Sequence, residues 1–194
     1  MRLAPASRHD DALAPAIDTL CRNAGVRPCE IARVAVSVGP GGFTAVRIAV
    51  ATGQMIALAS GAACFAVPTA LGVAYSMSSE LPPGSRATIL LAWKRGDSWR
   101  HRFERRADGH WTELNGGVLT PLSKPVEPGD ALVCDEAIRE MVHSGPASWL
   151  APRFDPVGIA RASWQMKPMD AALLLPLYPR EPEAVTKWRE LGRG

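Results

Sequence analysis

Between Ala35 and Gly61 the chain reads AVSVGPGGFTAVRIAVATGQMIALASG, and that order of strand, glycine turn and helix constrains the fold more than any other stretch. A short apolar run, Val34 to Val38, is cut by the turn Gly39-Pro40-Gly41-Gly42 and passes into a helical pattern from Phe43 to Ser60. α/β proteins use this order to present backbone N–H groups at a helix N-terminus. The helix carries a small residue at every fourth position: Ala45, Ala49, Gly53, Ala57 and Gly61. Residues four apart share a helix face, so these five draw a ridge without side chains, which another helix can approach closely. Two uses compete for the segment, a phosphate cradle and a helix-docking surface.

The cradle is the weaker of the two. The turn lacks the Lys-Ser/Thr of a P-loop and the spacing of a dinucleotide fingerprint. Gly39, Pro40, Gly41 and Gly42 read better as a tight turn that aims the helix, with Phe43 packed inward. The helix is apolar nearly all round, more than one sheet face can use, which favours docking.

The flanking pattern is helix, strand, helix, strand, helix. His9 to Asn23 is amphipathic, with Leu13, Ala16, Ile17 and Leu20 on one side, and Gly25 is placed as its C-cap. Ile31 to Val38 and Cys64 to Val67 read as buried strands. Pro68-Thr69 opens a helix to about Met77, with Thr69 as N-cap. This is the grammar of a parallel or mixed sheet covered by helices. The break Glu80-Leu81-Pro82-Pro83-Gly84-Ser85 divides the chain into residues 1–82, residues 83–175 and a tail, 176–194. Beyond it, Ala87 to Trp93, Trp99 to Arg105, Trp111 to Leu114 and Ala131 to Cys134 read as short strands, and Glu136 to Val142 as a short helix. Prolines break the rest. The tail pairs an apolar stretch, Leu173 to Tyr178, with a charged end of helical composition, Glu181 to Leu191.

The bulk numbers set broad limits. A chain of 194 residues, 47% apolar and 21% charged, has an ordinary soluble composition and can bury a core. Its net charge of +3 permits contact with nucleic acid without arguing for it. Cys21, Cys29, Cys64 and Cys134 show no CxxC spacing and suit a reducing cytoplasm. No signal peptide or clean membrane span is visible, since Arg47 and Gln54 interrupt the longest apolar region.

Catalytic and metal chemistry find no motif. His9, His101, His110 and His143 never fall at HxxxH or HExxH spacing, and no Ser, Cys or Thr sits in a nucleophile motif. No cofactor, metal ligand or catalytic residue is expected. Between Trp93 and Arg106, arginines alternate with aromatics. Aromatics beside arginines are how single-stranded RNA is often held, which makes Arg100, Arg102 and Arg106 candidate RNA contacts. A half-buried strand with a charged outer face has the same alternation, and that is the simpler reading.

VAVSVGPGGFTAVRIAVATGQMIALASG closely resembles the signature of the TsaB (YeaZ) family, which usually reads like GPGSFTG-x-R-x-G-x-A-x-A-K. RHDDALAPAIDTL resembles the family's first long helix, and PLYPREPEAVTKW its C-terminal Tyr-x-Arg tail. The Val67-Pro68-Thr69 step and the Leu122 to Val133 region extend the match. The resemblance is strong over residues 1–78, weak over 85–170 and moderate at the end. It implies an α/β, actin-like (ASKHA, ribonuclease H-like) fold in two lobes. It further implies a non-catalytic paralogue of TsaD, the enzyme that transfers threonylcarbamoyl to a tRNA adenosine, with a TsaE-type ATPase joining the assembly. The older peptidase label of such chains finds no support in these residues.

Three departures stand out. The family's opening strands, with their Asp-Thr-Ser, are missing before the first helix, leaving the first lobe short of strands. Gly42 and Ala45 stand where a serine and a glycine are usual, and Gln54 replaces a lysine. Ala92-Trp93-Lys94 stands where the family often has Asp-Ala-Arg.

Family members pair through their first two helices. The interface expected here therefore takes Leu13 and Ile17 from the first helix, and Phe43, Ala45, Val46, Ala49, Gly53, Ile56 and Ala57 from the second. A glutamate at Ala49 or Gly53 is expected to abolish pairing and spare the fold. A TsaD-type partner is expected, with a homodimer when the chain is isolated and tRNA contact indirect at most. The alternatives are a stand-alone ASKHA-type nucleotide-binding enzyme and a truncated paralogue that only self-associates.

Overall fold

The computed structural model describes residues 9–142 and 145–181 and, beyond these, positions 185, 188, 189 and 191. The charged end 181–191 and His143 thus lie largely or wholly outside the described residues. Two sheets organise the described residues. Helix α1 (His9–Ala24) and a 3-10 turn (Pro28–Glu30) lead into β1 (Arg33–Gly39), α2 (Phe43–Ser60), β2 (Ala63–Pro68) and α3 (Thr69–Ser76). β1 and β2 pair in parallel as a two-stranded sheet.

The second sheet is built from β3 (Arg86–Lys94), β4 (Asp97–Arg105), β5 (Trp111–Pro121), β6 (Ala131–Val133) and β7 (Ser148–Leu150), in the order β5-β4-β3-β6-β7. The first three strands form an antiparallel meander, and β6 and β7 continue the sheet in parallel with β3. A short α4 (Glu136–Arg139), then α5 (Pro156–Ser163) and a 3-10 turn (Ala171–Leu173), complete the described elements.

β3 takes the centre because Ala87-Thr88-Ile89-Leu90-Leu91 is apolar on both faces, as a strand covered on both sides must be. Ile89 joins a core that also holds Phe65 and Val67 of β2, Val73 of α3, Phe103 of β4 and Ala162 of α5. Leu90 faces the opposite layer, with Leu122, Val126, Leu132 and Ile138. Each such Val, Leu, Ile or Phe side chain contributes about 1.5–3 kcal/mol by leaving water. The first of these cores crosses the Glu80–Ser85 break without interruption. That break is a tied turn: Gly84 N–H donates to Arg105 O (2.7 Å), and the Arg105 guanidinium donates to Ser78 O and Leu81 O (2.5 and 2.6 Å).

α3 and α5 cross very closely, and two glycines make this possible. A Cβ on Gly72 would lie 2.1 Å from Ile159 Cδ1, and one on Gly158 would lie 2.4 Å from Gly72 O. Gly158 lies in a helix hidden from sequence reading by its prolines. Pro156 in fact sits at the start of α5, behind Asp155, whose carboxylate accepts from Val157 N–H (2.8 Å).

Several local expectations shift. Thr69 does not cap α3; it is the first helical residue, and its hydroxyl pairs with that of Ser37 (2.8 Å). β5 runs to Pro121, because Gly116-Gly117 is strand and not turn: Gly117 leaves room for the Trp99 ring, which a Cβ would approach to 2.4 Å.

Candidate functional site

α2 is positioned at both ends by glycine. Gly39, at φ +113°, lies where a Cβ would be 2.6 Å from Leu177 O, so no side chain fits the turn. Gly61, at φ +72°, ends the helix in the left-handed conformation. Between them Val46, Val50, Gly53 and Ala57 form the buried stripe, at helical spacing, against β1. Gly53 lets the helix close on the sheet, where a Cβ would meet Val36 Cγ2 at 2.3 Å.

The small-residue ridge is therefore not one surface. Four residues turn an α-helix through about 400°, so each step of the ridge drifts about 40°. Ala45 is exposed, Ala49 is half-buried, and Gly53 and Ala57 are buried on the chain's own sheet. Val46, Gly53 and Ala57 are thus core-packing residues, and Gly53 cannot take the glutamate expected to spare the fold. Leu13, Ile17 and Ile56 are half-buried along the grooves described next. Phe43 does not pack inward; it is half-exposed, stacked on Tyr178 of the tail (4.8 Å between centroids), with Arg47 over its ring at 5.4 Å.

Two apolar grooves flank the outer side of α2. One, of about 640 Å³, runs between α1 and α2 past Leu13, Ile17, Cys21, Ile48, Met55 and Ile56. The other, of about 660 Å³, lies between α2 and the backbone of β1, lined by Leu13, Val34, Val36, Ala45, Ala49 and Ile56. Met55 and Leu58 are 71% and 63% exposed. Ile48, Thr52 and Met55 were not singled out by the small-residue pattern. Their signal was the spacing i, i+4, i+7 on the side opposite the buried stripe. Gln54, which stands where a lysine is usual, donates to Leu174 O (3.0 Å) and ties α2 to the C-terminal segment. α2 is long and apolar enough to cross a membrane by length and composition alone, but its buried stripe makes it a sheet-covering helix.

A third cavity, of about 500 Å³, opens between β1 and α5. Its cation is already engaged: the Arg33 guanidinium lies between Phe65 (3.8 Å) and Trp164 (4.1 Å) and donates to Ser163 O (3.1 Å). Among the described residues no group of three or more His, Cys, Asp or Glu is arranged to hold a metal.

The arginines of β4 divide by structural task. Arg100 is buried, which pushes its pKa down, and it donates to Pro125 O and Lys124 O (both 2.6 Å). Arg102 grips the buried Asp130 carboxylate with two N–H groups (2.7 and 2.9 Å), a hydrogen-bonded pairing that raises its pKa. Neither is presented to RNA. Arg106 is exposed, and its guanidinium contacts the Thr112 hydroxyl. His101 is buried against Phe103 (4.3 Å), and burial lowers its pKa despite Glu113 at 3.1 Å. Cys134, also buried, has its thiol pushed up to about 11.

Residues 4–92 match the family model described as TsaD: tRNA N6-adenosine threonylcarbamoyltransferase. No curated protein sequence matches the chain. Among solved structures, YeaZ from Pseudomonas aeruginosa superposes with a TM-score of 0.75 at 20% identity, covering 89% of this chain and 85% of its own. The fold is that of YeaZ. An uncharacterized protein with similarity to peptidase YEAZ from Pseudomonas aeruginosa gives a TM-score of 0.78 at 21% identity, over 92% of this chain and 87% of its own. The actin-like α/β fold and the TsaB (YeaZ) resemblance are both borne out. Likeness to YeaZ, with the TsaD match, fits the tRNA-modification family.

Proposed function

We propose that this chain is a non-catalytic partner subunit that supports threonylcarbamoyl transfer to tRNA adenosine by a TsaD-type enzyme in the cytoplasm. It docks through the outer faces of α1 and α2. One observation carries the reading: an 18-residue apolar helix buries one stripe and leaves its other side open, with Met55 lining a groove against α1 and Leu58 exposed. Exposed apolar patches of this kind mark protein contacts. In this reading a TsaE-type ATPase joins the paired subunits, and the isolated chain self-associates through the same helices.

The test follows from the corrected geometry. Met55→Glu combined with Leu58→Glu changes two exposed positions, so the unfolding free energy should stay within about 0.5 kcal/mol of the parent. Co-purification with the TsaD-type paralogue of the same genome should be lost. Undiminished pairing in this variant would sink the docking face. ATP binding by the isolated chain in calorimetry would instead favour the stand-alone nucleotide-binding reading.

A further inference from the structure

The segment Leu177–Arg180 touches both sheets within four residues. At one end Leu177 N–H donates to Val38 O (2.7 Å), the last valine of β1, and Leu177 O fills the space that Gly39 keeps clear. Tyr178 stacks on Phe43, the first residue of α2. At the other end the Arg180 guanidinium reaches the turn between β3 and β4. It donates to three backbone carbonyls there, Ala92 O (2.8 Å), Lys94 O (3.1 Å) and Asp97 O (3.0 Å).

The turn is shaped for that fork. Ala92 and Arg95 both have positive φ, at 52° and 55°, a region that a residue with a Cβ rarely adopts. The ladder between β3 and β4 breaks register between Leu91 and Lys94, so Ala92 lies inside the break, while Lys94 and Asp97 are partners across the turn. A buried or half-buried carbonyl without a partner is unfavourable. Arg180 supplies charge-assisted donors to several at once, and a planar guanidinium is suited to such convergent geometry.

We propose that Leu177–Arg180 is a clamp between the two sheets, in which Arg180 holds the β3–β4 turn and thereby fixes the turn from which α2 starts. Leu177 and Tyr178 act at the α2 end, and the strained backbone at Ala92 is maintained by the guanidinium at the other. The clamp sets how the outer face of α2 is presented relative to the five-stranded sheet. Arg180 is a positioning residue: its hydrogen bonds go to the β3–β4 turn.

Amide hydrogen exchange on the full chain tests this with Arg180→Ala and Arg180→Lys. The reporters are the Leu177 amide and that of Val46, which donates to Gly42 O (2.9 Å) at the start of α2. In Arg180→Ala both should exchange about tenfold faster, while Ile89 and Val133 in the paired centre of the large sheet keep the parent rates. Arg180→Lys should fall between, because an ammonium cannot span three carbonyls in one plane. Unchanged exchange at Leu177 and Val46 overturns the clamp. So does equal acceleration at Ile89 and Val133, which would make Arg180 a general contributor to stability. Both readouts are independent of whether a TsaD-type partner binds.

Discussion

The five-stranded sheet and the two-stranded sheet deal with their polar and apolar groups in opposite ways. In the large sheet, Asp130 is fully buried and satisfied by Arg102 and by the Thr88 hydroxyl (2.7 Å), and Arg100 is spent on two carbonyls. Apolar layers fill both faces of β3. In the small sheet, β1 pairs with β2 alone among the described residues. Ala32 O accepts from Ala63 N–H on the β2 side, so strand alternation turns the N–H and C=O of Arg33, Ala35 and Ser37 toward the other edge. An apolar helix lies above with one side open. One region is closed on itself; the other leaves an apolar helix face and a strand edge open among the described residues.

Three substitutions sharpen the contrast, beyond the docking and clamp variants. The largest effect belongs to Asp130→Ala, which strands the Arg102 guanidinium and the Thr88 hydroxyl. Loss of a partner in such a buried pair should cost about 3 kcal/mol or more, read as a lower midpoint in urea. If Asp130→Ala unfolds with the parent midpoint, the large sheet does not depend on its buried charge.

Gly53→Ala comes next. The added methyl meets Val36 at close range, and the helix must move off β1 at a cost of about 1–3 kcal/mol. The neighbouring Met55→Glu change should leave stability untouched, so the two sides of one helix separate core from surface. Equal midpoints for the two variants would erase that distinction.

The smallest effect is the pH response of His101. Burial holds its folded-state pKa below the unfolded value of about 6.5, with Glu113 opposing only in part. The unfolded chain then binds more protons as pH falls through that value, so stability is full above it and declines below it. His101→Gln should flatten the thermal midpoint between pH 7 and pH 5 relative to the parent. A slope identical in both proteins would remove His101 as its source.

How far the sequence could be read varies with the physics of each element. α2 was legible to the residue because its limits are backbone-conformational: the glycine turn on one side and Gly61 on the other. β1, β2 and α3 followed from apolar runs between such breaks. α5 was not legible, because Pro156 looks like a breaker until Asp155 is seen as its cap. The site was half legible. The small-residue spacing drew attention to α2, but its 40° drift carries Gly53 and Ala57 into the core. Arg100 and Arg102 looked like free cations because the carbonyls and the buried Asp130 that claim them lie 24 or more residues away in sequence. The clamp on Ala92 is likewise formed across 88 residues, with no local pattern to announce it.

The outward-facing edge of β1 also bears on how the chain behaves in a crowded solution. An uncovered strand edge offers a ready template for any extended backbone, native or not, and natural sheets usually blunt such edges. Among the described residues no strand pairs with this edge, and Val34, Ala35 and Val36 border an apolar groove. A charged residue or a proline along that edge should therefore lower the chain's tendency to associate at high concentration.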